Sequence, residues 1–149
     1  MKQNEQFEPR RRARRRALQA IYQWQMTGQD ATTILAQFQE AQDFNNVDEA
    51  YFERLLRGVS GEAEAVDAIL QPCLDRPLEE VDIMERVVLR IGAWELVHSP
   101  EIPYRVVLDE SVDLAHRFGS EQGHSFVNAV LDKAAKNLRP IEVDMPQSG

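Results

Sequence analysis

The sequence predicts an all-α protein: two three-helix bundles packed together as one compact unit. Three observations predict it. Apolar residues recur at the three-and-four spacing of a buried helix stripe along most of the chain. β signals are nearly absent. Prolines and capping residues punctuate the pattern with short connections, which favour antiparallel neighbours. Hydrophobic residues make up 43% of the 149, enough for a packed interior, and no apolar run approaches the length that crosses a bilayer.

A first helix opens near Pro9, a residue tolerated at a first helical position. It runs to about Thr27 and stops at Gly28. Residues 1–9 are expected to be a flexible segment. Ala13, Ala17, Leu18, Ile21 and Trp24 give the helix its core side. Asp30 is placed to cap a second helix carrying Ile34, Leu35 and Phe38. Asp48 is placed to cap a third, longer one, whose stripe runs from Phe52 through Leu55, Leu56, Val59, Ala63 and Val66 to Leu70. Gly58 and Gly61 interrupt it. Pro72 and Pro77 break the chain, so the boundary is placed at 72–78, between an N-terminal subdomain 10–71 and a C-terminal subdomain 78–139.

The second half repeats the logic without repeating the sequence. Asp82 to His98 forms a helix ended by Pro100. Pro103 opens the next, closed by Gly119. Ser120 caps a last helix carrying Phe126, Val127, Val130, Leu131, Ala134 and Leu138, which Pro140 ends. Residues 140–149 are expected to be a flexible, frayed tail.

Composition excludes several classes of function. With Cys73 as the single cysteine, no intrachain disulfide and no thiolate metal cluster can form. A reducing cytoplasm is the simplest compartment, and Cys73 reads as a small buried hydrophobe. The polar, then basic start holds no apolar stretch and is not a secretory signal. His98, His116 and His124 form no metal or nucleophile motif, and the carboxylates show no acid/base spacing. An enzyme is therefore not expected.

Net charge is −8 but segregated. Residues 1–26 hold seven basic and two acidic residues, and the remainder holds ten basic and 23 acidic. A local field acts on partners more strongly than the molecular total. Arg10, Arg11, Arg12, Arg14, Arg15 and Arg16 stack at i,i+4 on a helix, where like charges repel and a polyanion relieves the repulsion. Guanidinium groups grip phosphate bidentately and stack on bases. Tyr22 lies two turns beyond Arg14 and Arg15 on the same side, where an aromatic ring can stack an unpaired base; it reads equally well as a core residue. A second polar cluster, Gly119 to Asn128, surrounds Phe126 at a helix start, a place that welcomes phosphate oxygens. Asn128 reads either as a base-edge contact or as a structural cap.

These residues resemble the NusB family nearly end to end, from about Arg10 to Arg139. The matching stretches are Arg12-Ala13-Arg14 with Ala17-Leu18-Gln19-Ala20-Ile21-Tyr22; Tyr51-Phe52 with Leu55-Leu56 and Gly58-Val59; Leu89-Arg90-Ile91 with Glu95-Leu96; Ile102-Pro103-Tyr104-Arg105-Val106 with Glu110, Leu114-Ala115 and Phe118-Gly119; and Phe126-Val127-Asn128-Ala129-Val130-Leu131-Asp132. The resemblance implies two three-helix bundles sharing a core, no catalysis and no cofactor. It implies binding of the boxA element of nascent ribosomal RNA together with NusE, a small-subunit ribosomal protein, within an RNA polymerase antitermination complex. It places RNA along Arg10, Arg11, Arg12 and Arg14, with Arg15 joining from the same strip, and along Tyr22, Phe126 and Asn128. Glu79 and Glu85 fall where the family has polar contacts near the RNA path. The NusE surface is expected on the second half, around Pro100.

Ala129 stands where the family has glycine, and Asp109 where asparagine is common. The alanine is expected to move a neighbouring helix or the RNA slightly outward. Methyltransferase fusions of the family are disfavoured, because no glycine-rich methyl-donor signature is present. An alternative reading is an acidic helical scaffold for protein partners with only secondary RNA contact. A helix-turn-helix DNA binder is disfavoured by the few basic residues of the later helices. Monomer and homodimer are both compatible with the sequence.

Overall fold

Three aspartates start three helices by accepting N–H groups that a helix leaves without internal partners. Asp30 accepts the Thr33 N–H at 2.8 Å, and Asp48 that of Tyr51 at 3.0 Å. Asp82 accepts those of Met84 and Glu85 at 3.1 and 3.2 Å. The caps at Asp30 and Asp48 are where the sequence put them, whereas Asp82, expected as the first residue of its helix, caps it instead. The hydrogen bonds from Thr33 hold the Asp30 carboxyl below its ordinary value.

The structure is a computed structural model that describes residues 2–145, with side chains from Phe7 onward. The end of the expected tail, 146–149, lies outside the described residues. Among the described residues the chain forms eight α-helices and no strand: α1 Lys2–Thr27, α2 Ala31–Ala41, α3 Glu49–Gly61, α4 Ala63–Leu70, α5 Ile83–His98, α6 Tyr104–Phe118, α7 Gly123–Leu138 and α8 Pro140–Asp144. Single 3₁₀ turns lie at Gln71–Cys73 and Leu78–Glu80. No helix of the described residues is long and apolar enough to cross a membrane.

Two compact units result, Met1–Ala63 and Glu64–Gly149. The first is the α1, α2, α3 group, with α1 against α3 as its main packing. Ala13, Ala17, Leu18, Ala20 and Ile21 are buried, as the periodicity requires, whereas Trp24 is only half-buried. Phe52 is fully buried and contacts Phe38 at 5.7 Å and Phe44 at 5.1 Å between ring centroids. Such pairs add about 0.5–1.5 kcal/mol each beyond area burial. Gly28 ends α1 at φ 73°, a left-handed conformation that glycine adopts without a Cβ penalty.

In the second unit α5, α6 and α7 pack on one another. Gly92 allows this. A Cβ there would stand 2.6 Å from Leu131 Cδ1 and 2.9 Å from Ser111 Oγ, so α5 meets both neighbours along a bare strip of backbone.

Four local expectations are corrected. α1 begins at Lys2, not near Pro9, so Pro9 lies inside it; the missing N–H removes one rung, while the Pro9 carbonyl accepts the Asp48 N–H at 3.0 Å. The long third helix is two, because the chain turns at Gly61–Glu62. The units divide there rather than at 72–78, since the turn Gln71–Cys73 packs against α7 and Val66, Leu70 and Cys73 are buried. Pro140 opens α8 instead of beginning a frayed tail. Tyr104 N–H donates to Glu142 Oε2 at 2.7 Å, and Arg139 donates to Glu142 Oε1 at 3.1 Å.

Candidate nucleic-acid interface

Four arginines of the α1 run lie against aromatic rings, from α3, from the segment before it and from α1 itself. Ala13, Ala17 and Ala20 face the core, which leaves Arg11, Arg12, Arg15 and Arg16 toward or at the surface. Tyr51, buried on α3, has three guanidinium carbons around its ring: Arg10 at 4.5 Å, Arg14 at 5.6 Å and Arg54 at 5.6 Å from the centroid. Arg16 lies 5.2 Å from the Phe44 ring and Arg11 5.1 Å from that of Phe7. Each cation–π contact of this kind contributes about 0.5–1 kcal/mol at an exposed site.

Asp48 and Glu8 border the strip. Arg10 stands 3.6 Å from Asp48 and Arg11 3.8 Å from Glu8, with side chains part-exposed; pairs of this kind contribute little. Arg12, exposed, donates to the Asn46 carbonyl at 3.2 Å, a neutral acceptor that leaves its charge in place. Tyr22 is half-buried further along α1.

Arg14 is a correction. The family resemblance places it along the RNA, but only 2% of it is exposed. Its guanidinium lies against Tyr51, so in this structure it supports the strip from beneath. Six arginines fill every azimuth of the helix, and the sequence could not say which of them α3 would cover. Phe44 and Arg54 also border this surface, with buried Tyr51 beneath it, and sequence reasoning missed them. The spacing of Tyr51 and Arg54, one turn apart on α3, was the available signal.

In the second unit, Phe126 is half-buried in the first turn of α7, and the Arg76 guanidinium carbon stands 4.7 Å from its ring centroid. Asn128 is exposed and lines a shallow recess with Tyr104, Arg105, Leu108, Asp109 and Asp132. Two carboxylates in that recess favour a hydrogen-bond donor, such as a base amine, over phosphate. Asp109, one of the two departures from the family pattern, is therefore a neighbour of Asn128. Ala129, the other, is exposed, so its methyl group wedges no helices apart.

Glu79 is exposed, and its carbonyl accepts from Arg86 at 2.7 Å. Glu85 is not exposed: at 6% accessibility its carboxylate accepts the Ser120 hydroxyl at 2.6 Å and the Ser120 N–H at 3.1 Å. It holds the loop before α7 and does not face outward. Ser120 is accordingly not the cap of α7; that place falls to Gln122, whose side chain makes no capping hydrogen bond. His116 and His124, on either side of a turn, meet edge to face at 5.4 Å. Among the described residues no group of three or more His, Cys, Asp or Glu side chains could hold a metal ion. Burial pushes the Cys73 thiol above its ordinary value, consistent with a packing role.

Comparison with known proteins decides the relationship. The NusB family model matches residues 11–136, a span that includes the arginine strip from Arg11 and nearly all of α7. The chain belongs to the NusB family. It is 53% identical over 133 residues to the transcription antitermination protein NusB of Nitrosococcus oceani, covering 89% of each chain. It is 52% identical over 134 residues to that of Xylella fastidiosa, covering 90% of this chain and 85% of the other. T. maritima NusB superposes with a TM-score of 0.78 at 27% identity, covering 92% of this chain and 98% of that one. A NusB solved with NusE and double-stranded RNA has the same fold, with a TM-score of 0.74 at 23% identity over 85% of this chain and 96% of that one.

Proposed function

We propose that this NusB-family chain is a non-catalytic transcription antitermination factor. It acts in the cytoplasm, binding single-stranded boxA RNA of nascent ribosomal transcripts together with NusE, within an RNA polymerase antitermination complex. The observation that carries this reading is the strip Arg10, Arg11, Arg12 and Arg15 along one helix, with Arg10 and Arg11 over aromatic rings and Arg12 exposed. Membership of a family whose curated relatives are named for antitermination supports it. The strip positions phosphates, while Tyr22, Phe126 and Asn128 supply stacking and a base-edge contact. Glu79 is an outward polar contact; Arg14 and Glu85 position their neighbours.

A titration of labelled boxA-like RNA and its scrambled version, with and without NusE, tests the reading. The expected result is preference for boxA that NusE strengthens. Equal affinity for the two RNAs under both conditions overturns it.

The acidic-scaffold reading has one observation in its favour. The first unit holds nine basic and nine acidic residues, whereas the second holds eight basic and sixteen acidic. That excess suits a basic protein partner such as NusE, so both contacts fit one complex. A pull-down of NusE after nuclease treatment separates them: a partner that stays bound contacts the protein directly.

A further inference from the structure

We infer that Arg76 is a further RNA-binding residue, the cation that accompanies a base stacked at Phe126. The inference rests on the RNA reading above and adds a residue to it.

A base reaching the Phe126 ring brings a phosphodiester into the acidic second unit, so a local cation is required. Most of that unit's cations are engaged by its own groups. Arg90 binds Asp67 through two bonds of 2.9 Å, and Arg86 donates to the Glu79 and Val81 carbonyls. Arg117 and Lys136 pair with Asp113 and Asp132 one turn away on their own helices. Arg76 differs. Its only ion pair among the described residues is with its chain neighbour Asp75 at 3.1 Å, whose side chain is 81% exposed. Exchange for a phosphate oxygen therefore costs little.

Geometry fits the role. The Arg76 guanidinium carbon lies 4.7 Å from the Phe126 centroid, within reach of whatever stacks there. Its backbone is pinned, while its side chain is held by an exposed ion pair and the ring. The Arg76 carbonyl accepts from Gln71 Nε2 at 3.0 Å, and Gln71 Oε1 accepts the Leu78 N–H at 3.1 Å. A planar guanidinium can leave the ring face to an incoming base, lie against that base and turn its N–H rim to the phosphate; an ammonium cannot do both.

The test uses the full chain and a short fluorescein-labelled, single-stranded boxA-like RNA, titrated over a salt series. Variants are R76A, R76K, F126A, the R76A/F126A double, and R12A as a control on the strip. R76A is expected to weaken binding about tenfold, the size of one hydrogen bond to a charged group. It should also lower the salt slope by about 0.7, the value for one single-strand phosphate. R76K keeps the slope but not the affinity, and the double variant loses less than the product of the two single losses. If F126A and R12A weaken binding while R76A matches the parent in affinity and slope, Arg76 merely packs on the ring and the inference is overturned. If all three leave binding unchanged, the RNA reading fails and takes the inference with it. Arg76 and Asp75 are exposed, so thermal unfolding of R76A should match the parent and exclude misfolding as the cause.

Discussion

The Glu85 carboxylate occupies the space that a side chain on Gly123 would need: a Cβ there would lie 2.6 Å from Glu85 Cδ. Glu85 cannot simply swing away, because it is buried and bonded to Ser120. Gly123→Ala should therefore destabilise the protein by about 1–3 kcal/mol, the usual cost of overpacking, despite alanine's better helix propensity. Denaturant midpoints measure it. In an E85A background the same substitution should become neutral or stabilising; equal effects in both backgrounds would refute the contact.

Arg14 and Arg12 should separate by the kind of loss they cause. Arg14→Ala removes buried packing against Tyr51 and should cost about 1–3 kcal/mol of stability. Its salt slope for RNA should stay unchanged. Arg12→Ala, on the exposed side, should leave the unfolding midpoint within about 0.5 kcal/mol and lower the salt slope by about 0.7. Thermal melts beside RNA titrations check both.

Arg139 gathers the end of α5. Its side chain is 8% exposed, and it donates to the carbonyls of Leu96 at 3.0 Å, Ile102 at 2.5 Å, Glu95 at 3.3 Å and Ser99 at 3.0 Å. Truncation leaves buried acceptors without donors. Arg139→Ala should destabilise by about 3 kcal/mol. Arg139→Lys should recover part of that, since an ammonium cannot span the same fork. A urea midpoint unchanged in Arg139→Ala would contradict the clamp.

Acid should fray α2. The Asp30 carboxyl is held below its ordinary value of 3.8, chiefly by the Thr33 N–H. A lowered folded value means stabilisation that is complete above 3.8 and is lost as pH falls through the lower folded value. Asn is also a good N-cap but does not titrate. Asp30→Asn should therefore show a flatter acid limb in stability measured against pH, and parallel curves would remove the cap from the acid response.

What was legible in the sequence was what acts locally. The caps at Asp30 and Asp48 bind N–H groups three residues ahead, so residue type and position sufficed. The core stripes of α3 and α7 followed from periodicity for the same reason. The proposed reading of the strip has its motive in the sequence, where six arginines within seven residues repel one another along a helix and a polyanion would relieve that repulsion. The burial of Arg14 was not, because the covering ring belongs to Tyr51 on another helix. Nor was the role of Glu85, whose partner Ser120 lies 35 residues away. The clamp at Arg139 left no trace in the sequence because its acceptors are carbonyls, which carry no side-chain signature.

The bond from Tyr104 to Glu142 closes the first turn of α6 with a group synthesised 38 residues later. Chains emerge from the ribosome N-terminus first, at about 5–20 residues per second. While residue 142 is still inside the exit tunnel, the start of α6 lacks this acceptor, and the first unit has a head start of some 79 residues. The second half thus sets its final hydrogen bonds late, and any trimming of the gene before that codon would leave α6 with an open beginning.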